Sequence, residues 1–143
     1  MAIVYLGLGS NLGDRVSYIK KAVALLEEGK VKVHRLSTII ETEPVGGPEQ
    51  GKYLNAVLKA STGLSPEDLH ELTQSIEHKL GRTNKILNGP RVIDIDILLY
   101  DDIKLITPKL IIPHPRMCAR NFVMKPLKEI AANVYQELID ARC

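Results

Sequence analysis

The sequence predicts an α+β fold: an antiparallel sheet carrying helices, closed by a helical tail. Two observations lead there. Runs rich in β-branched residues and two amphipathic segments follow one another as β-α-β-β-α-β, each bounded by glycine, proline or capping residues. Beyond Pro113 the β-rich pattern stops and helical periodicity takes over. That order is the ferredoxin-like arrangement, with helices on one face of the sheet. A tail laid over the other face makes it a three-layer α-β-α domain.

Each element has its own justification. Ile3 to Leu8 is a short apolar run, and Gly7-Leu8-Gly9-Ser10-Asn11-Leu12-Gly13 follows as a tight loop. Asp14 is placed to cap a helix whose apolar face is Val16, Ile19, Val23 and Leu26, with Gly29 at its end. Val31 to Thr42 reads as one long strand, and Tyr53 to Ser61 as the next. Between them, Glu43-Pro44-Val45-Gly46-Gly47-Pro48 is a loop. Ser65-Pro66-Glu67-Asp68 starts the second helix with a cap, a first-turn proline and two acids at the positive end of the dipole. Leu69, Leu72, Ile76 and Leu80 are its buried stripe, and Gly81 ends it. Arg82 to Arg91 is polar and reads as a loop. A strand follows, then a turn at Asp101-Asp102 and a hairpin-like excursion from Ile103 to Ile112. A short helix near Met117 to Phe122, and one or two more from Pro126 to Ala141, complete the chain.

The chemistry concentrates in Arg91-Val92-Ile93-Asp94-Ile95-Asp96-Ile97-Leu98-Leu99-Tyr100. On a strand, Ile93, Ile95 and Ile97 point one way, and Asp94 and Asp96 the other, with Cα atoms roughly 6.6 Å apart. Such a pair also marks the wet face of many ordinary strands. Here Leu98 shares the face, so the carboxylates are flanked by apolar surface and need a reason to be there. Two repelling carboxylates invite a cation, and hard oxygen ligands without a Cys or His cluster favour Mg²⁺ over zinc. Gly89-Pro90-Arg91 brings an arginine to the same place, and Arg82, Lys109, His114, Arg116 and Arg120 surround the strand in sequence. Acids plus these cations suggest metal-assisted chemistry on a phosphate. Neither a Gly-x-Gly-x-x-Gly nor a P-loop spacing is present, so side chains must hold any nucleotide phosphates. His70 and His78 stand eight apart on one helix and make no zinc pair.

Composition narrows the function class. A chain of 143 residues with 45% hydrophobic and 25% charged residues fits one globular domain, spanning residues 1–143. A net charge of +2 gives no argument for nucleic acid. No apolar run is long enough for a membrane span, and the start Met1-Ala2-Ile3-Val4-Tyr5 lacks the pattern of a signal peptide. Cys118 and Cys143 show no metal-ligand spacing and are expected to be free thiols of a cytoplasmic protein.

Gly9-Ser10-Asn11-Leu12-Gly13, Tyr53-Leu54-Asn55, Gln74, Glu77, Gly81-Arg82, the stretch from Gly89 to Tyr100 and Pro113-His114-Pro115-Arg116 together resemble the 6-hydroxymethyl-7,8-dihydropterin pyrophosphokinases of folate biosynthesis. The resemblance covers nearly the whole chain and agrees with the fold read above. It implies transfer of the β,γ-pyrophosphoryl group of ATP to the pterin hydroxymethyl oxygen, releasing AMP, in a monomer. It implies two Mg²⁺ ions on Asp94 and Asp96, and Arg82 and Arg91 as catalytic and phosphate-binding residues. Gln74, Glu77, Lys109, His114, Arg116 and Arg120 are implied on the ATP side. Thr42, Pro44, Val45, Tyr53, Asn55 and Phe122 are implied as the pterin pocket, with Tyr53 and Phe122 sandwiching the ring and Asn55 reading its polar edge. The chain differs from some members by Asn84 and Asn88 after Arg82, by Pro115 in place of an aromatic and by Lys109 in place of an arginine. The alternative is a non-catalytic ferredoxin-like module binding a small ligand or RNA. An RNA-binding sheet would carry aromatics on its central strands, where this chain has Asp, Ile and Leu.

Overall fold

Strand β1, Ala2–Ser10, is the centre of the sheet in the computed structural model, which describes residues 1–44, 47, 49–81 and 92–141. It is longer than its apolar run because Gly9 and Ser10 continue the pairing into the loop motif. β4, Tyr53–Thr62, lies antiparallel on one side and β5, Asp94–Tyr100, antiparallel on the other. β2, Val31–Leu36, and β3, Ile40–Thr42, both pair with the far side of β4. The order β2-β4-β1-β5 is the expected ferredoxin-like sheet.

Helices α1, Arg15–Glu28, and α2, Pro66–Lys79, cover one face. Asp14 accepts from the Ser17 amide and Ser65 from the Asp68 amide, the capping bonds their sequence positions suggested. Ile19, Ala22, Leu26, Leu69 and Ile76 meet Val4, Leu6, Leu8, Ile95 and Ile97 in one core. Val16 does not belong to the buried face of α1; it is exposed, and Ala22 takes the buried place. Helices α3, Asn121–Ile130, and α4, Ala132–Ala141, cover the second face, where Val123, Met124, Leu127 and Leu138 pack on Tyr5, Val57, Leu98 and Leu99. The tail therefore supplies the third layer. β6, Leu105–Ile106, and β7, Ile111–Ile112, form the small hairpin.

Three further readings are corrected. The long strand Val31 to Thr42 is broken, because Ser37 leaves the ladder. Its amide donates to the Val57 carbonyl, its hydroxyl accepts the Val57 amide, and the next residue, Thr38, is held by Glu129 at 3.0–3.1 Å. Pro126 does not open a helix but lies inside α3, which begins at Asn121 and so carries Phe122 in its first turn. Burial of Val123, Met124, Pro126 and Leu127 outweighs the backbone bond that the proline removes. Cys118 is disulfide-bonded, and among the described residues no cysteine is free. Cys118 packs on the second core beside α3 and α4, a placement its position in the sequence did not reveal, and Cys143 lies outside the described residues. No helix among the described residues is long and apolar enough to cross a membrane.

Candidate active site

The pairing register builds the site. Gly9 of β1 stands opposite Asn55 of β4 on one side and Asp94 of β5 on the other. One step along, Gly7 stands between Val57 and Asp96. Since Leu6, Leu8, Ile95 and Ile97 fill the first core, the alternate residues Gly7, Gly9, Asp94 and Asp96 face the α3 side. Two strand spacings of about 4.8 Å separate Asn55 from Asp94, with only glycine between them. The result is a side-chain-free strip with a buried amide side chain on one bank and two half-buried carboxylates on the other.

Close packing requires the glycine. A Cβ on Gly9 would stand 3.1 Å from Asn55 Oδ1 and 3.4 Å from Tyr53 Cδ1. Asn55 is buried, and its Nδ2 donates to Thr42 Oγ1 at 2.6 Å, which fixes how the amide faces the strip. Tyr53, Thr42 and Pro44 are half-buried beside it. Asn11, whose amide donates to Gln50 Oε1 at 2.8 Å and to the Gly51 carbonyl at 3.0 Å, ties the turn after β1 to the chain entering β4. The sequence placed Asn11 in the Gly9–Gly13 motif without a role of its own, and its position between those two glycines was the available signal.

β5 carries an extra residue. Leu6 pairs with Ile97 but Tyr5 with Leu99, so Leu98 bulges, and Leu98 and Leu99 both enter the second core. The Leu98 carbonyl then accepts the His114 amide at 2.9 Å, bringing the Pro113–Arg116 segment beside Asp94. His114 Nδ1 accepts the Arg116 amide at 3.2 Å. A ring that accepts there carries its proton on Nε2 and is neutral. Burial first, then the Arg120 and Arg116 charges, lower its pKa from 6.5 to about 4, against an upward pull from Asp94. The Arg120 guanidinium lies 5.4 Å from the centre of the half-buried Phe122 ring.

Asp94, Asp96, His114, Arg116, Arg120 and Phe122 are thus gathered near one end of the sheet, with Tyr53, Asn55 and Thr42 across the strip. Gln74 is exposed on α2, and Lys109 is exposed at the β6–β7 turn. Glu77 is buried, and its carboxylate accepts the Ile95 amide at 2.8 Å. Arg82, Arg91 and Val45 lie outside the described residues. Among the described residues no group of three or more His, Cys, Asp and Glu forms a protein cage for a metal. Two carboxylates on one face nevertheless fit Mg²⁺, which keeps several waters and completes its shell with substrate phosphates.

A family model for 7,8-dihydro-6-hydroxymethylpterin-pyrophosphokinase matches residues 5–132, which takes in the whole strip and its banks. The chain belongs to this pyrophosphokinase family. It is 48% identical to the 2-amino-4-hydroxy-6-hydroxymethyldihydropteridine pyrophosphokinase of Bacillus subtilis, over 97% of this chain and 84% of that protein. Identity to the enzyme of the same name from Aquifex aeolicus is also 48%, over 94% of this chain and 83% of the relative. A wild-type HPPK-DHPS chain from Plasmodium falciparum superposes with a TM-score of 0.66 at 17% identity, covering 91% of this chain and 40% of that one; this likeness concerns the fold. Members of the family transfer the β,γ-pyrophosphoryl group of ATP to 6-hydroxymethyl-7,8-dihydropterin in folate biosynthesis, and so does this chain. The comparisons give no support to a non-catalytic module.

Proposed function

We propose that the glycine strip is where the two substrates meet. Support comes from the register: the row Asn55–Gly9–Asp94 leaves room for a flat ring beside Asn55, with its hydroxymethyl arm reaching toward the carboxylates. Asn55, oriented by Thr42, reads the polar edge of the pterin. Tyr53 and Phe122 take its two faces, Pro44 lies at the rim, and the family resemblance adds Val45 to the same pocket.

On the other bank, Asp94 and Asp96 hold two Mg²⁺ ions. Bare carboxylates would repel a triphosphate, so this placement makes sense only with cations between them. When bound, the ions supply charge neutralisation on both sides of an in-line displacement. The chain's own work is to position. His114, neutral with its proton on Nε2, donates to a phosphate oxygen. Arg116 and Arg120 add charge beside it, while Arg82 and Arg91 bind the transferring group. Gln74 and Lys109 lie toward the nucleotide. Transfer of this kind needs alignment and charge neutralisation more than a strong base. We propose further that residues 1–143 work as one pyrophosphokinase domain, as a cytoplasmic monomer, with no nucleic-acid partner.

The test is a single turnover with ATP and pterin. AMP as the nucleotide product is expected, and Asp96→Asn should lose turnover by about 100-fold or more while still binding pterin, since charge stabilisation of the transition state is removed. ADP as the main product, or wild-type turnover in Asp96→Asn at millimolar Mg²⁺, would sink this reading.

A further inference from the structure

We infer that Glu77 is a positioning residue for the metal-binding strand, acting through the backbone of Ile95. The inference rests on Asp94 and Asp96 being the metal ligands and goes beyond that assignment.

Among the described residues β5 is the last strand of the sheet and pairs with β1. In an antiparallel pair, alternate residues turn their amides to the partner strand and away from it. The amide of Ile95 is taken by Glu77 Oε2 at 2.8 Å, so Ile95 turns outward, while Asp94 and Asp96 on either side of it turn toward β1. A single helix side chain therefore does at this point what a further strand would do. It does so midway between the two carboxylates. β1 controls one side of the dipeptide steps on which Asp94 and Asp96 are mounted, and Glu77 controls the other.

The burial of Glu77 argues that this bond matters. It is 7% exposed, on the face of α2 that also buries Leu69, Thr73 and Ile76. A carboxylate in such a place is costly unless hydrogen-bonded, and a bond to a charged acceptor is stronger than a neutral one. The side chains of Asp94 and Asp96 project to the opposite face of the sheet. α2 is itself well fixed, with Ser65 capping its start and its buried residues in the first core. The helix side of the contact is thus held by the core, and a shift of β5 at Ile95 moves both carboxylates relative to β1.

Three variants decide it. Glu77→Gln keeps an acceptor oxygen without the charge; Glu77→Met keeps the volume without an acceptor; Asp96→Asn serves as the metal control. The first readout, on the free protein without metal, is exchange of the Ile95 amide by NMR. It should be about tenfold faster or more in Glu77→Met and intermediate in Glu77→Gln. The second is the Mg²⁺ concentration for half-maximal turnover. It should rise by about tenfold in Glu77→Met and by about threefold or less in Glu77→Gln, with pterin affinity unchanged in both. A merely structural contribution would lower melting temperature and leave Mg²⁺ dependence alone, which overturns the inference. Equal losses in Gln and Met, expressed as weaker ATP binding without metal, would assign Glu77 to the nucleotide instead. Should Glu77→Met not fold, Glu77→Gln alone suffices: an Ile95 amide with unchanged shift and exchange refutes the bond's role. If Asp96→Asn leaves the Mg²⁺ dependence untouched while the Ile95 amide still responds to Glu77, the metal assignment fails and the strand contact stands.

Discussion

Gly9→Ala places one methyl group on the strip and perturbs little else. Its carbon would lie 3.1 Å from Asn55 Oδ1, 3.4 Å from Tyr53 Cδ1 and 3.8 Å from the Leu54 carbonyl. The closest contact requires Asn55 to retreat by a few tenths of an ångström. Asn55 is poorly placed to do so, because it is buried and bonded to Thr42 at 2.6 Å. Turning its side chain off its rotamer, or lengthening that bond, costs about 0.5–1.5 kcal/mol. If the amide reads the pterin, that cost appears as about a two- to tenfold weaker pterin affinity. Stability should not fall in step, since alanine in a strand interior recovers about 0.5–1 kcal/mol relative to glycine. Gly7→Ala is the internal control. Its nearest atoms would be Leu98 carbons at 3.6–3.8 Å, an ordinary contact, so pterin affinity should stay unchanged. The assay is calorimetric titration of pterin and, separately, ATP into each variant, with thermal melts alongside. Equal pterin affinity in both variants refutes the reasoning. So does a Gly9→Ala protein that loses ATP and pterin together with its melting temperature, because the glycine would then serve the fold.

Phe122→Ala should weaken pterin far more than ATP, with stacking worth about 0.5–1.5 kcal/mol beyond burial; equal weakening in titrations of both ligands would return Phe122 to the second core. His114 makes the free protein sensitive to acid. Its folded pKa of about 4 lies below the ordinary 6.5, so between those values the unfolded chain binds the extra proton. Stability contributed by His114 is complete above pH 6.5 and lost as pH falls through that window. After discounting for solvent, because the ring is only partly buried, the loss is about 1–2 kcal/mol. Urea unfolding at both ends of the window should show this slope in the wild type and not in His114→Asn. Because Asp94 pulls the pKa upward, Asp94→Asn should move it further down in an NMR titration; a rise would show that the two groups do not face each other.

Local signals in the chain determined much of this protein. The caps at Asp14 and Ser65, the stops at Gly29 and Gly81, and the alternation from Ile93 to Ile97 act over a few residues, and the structure keeps them. The element order already named the sheet, because short connections and antiparallel pairing leave few ways to assemble it. The motifs named the chemistry, since carboxylates two apart on a strand share a face whatever surrounds them. Tertiary structure alone decided the rest. Nothing local says that Gly9 falls between Asn55 and Asp94, because register is set by partners that lie more than 40 positions away in sequence. The break at Ser37 depends on Glu129 of the last layer, and the bulge at Leu98 on a core to which α3 and α4 contribute. The family resemblance put Glu77 on the ATP side. Its carboxylate acquired a purpose only when α2 packed against the outer strand and met the outward amide of Ile95.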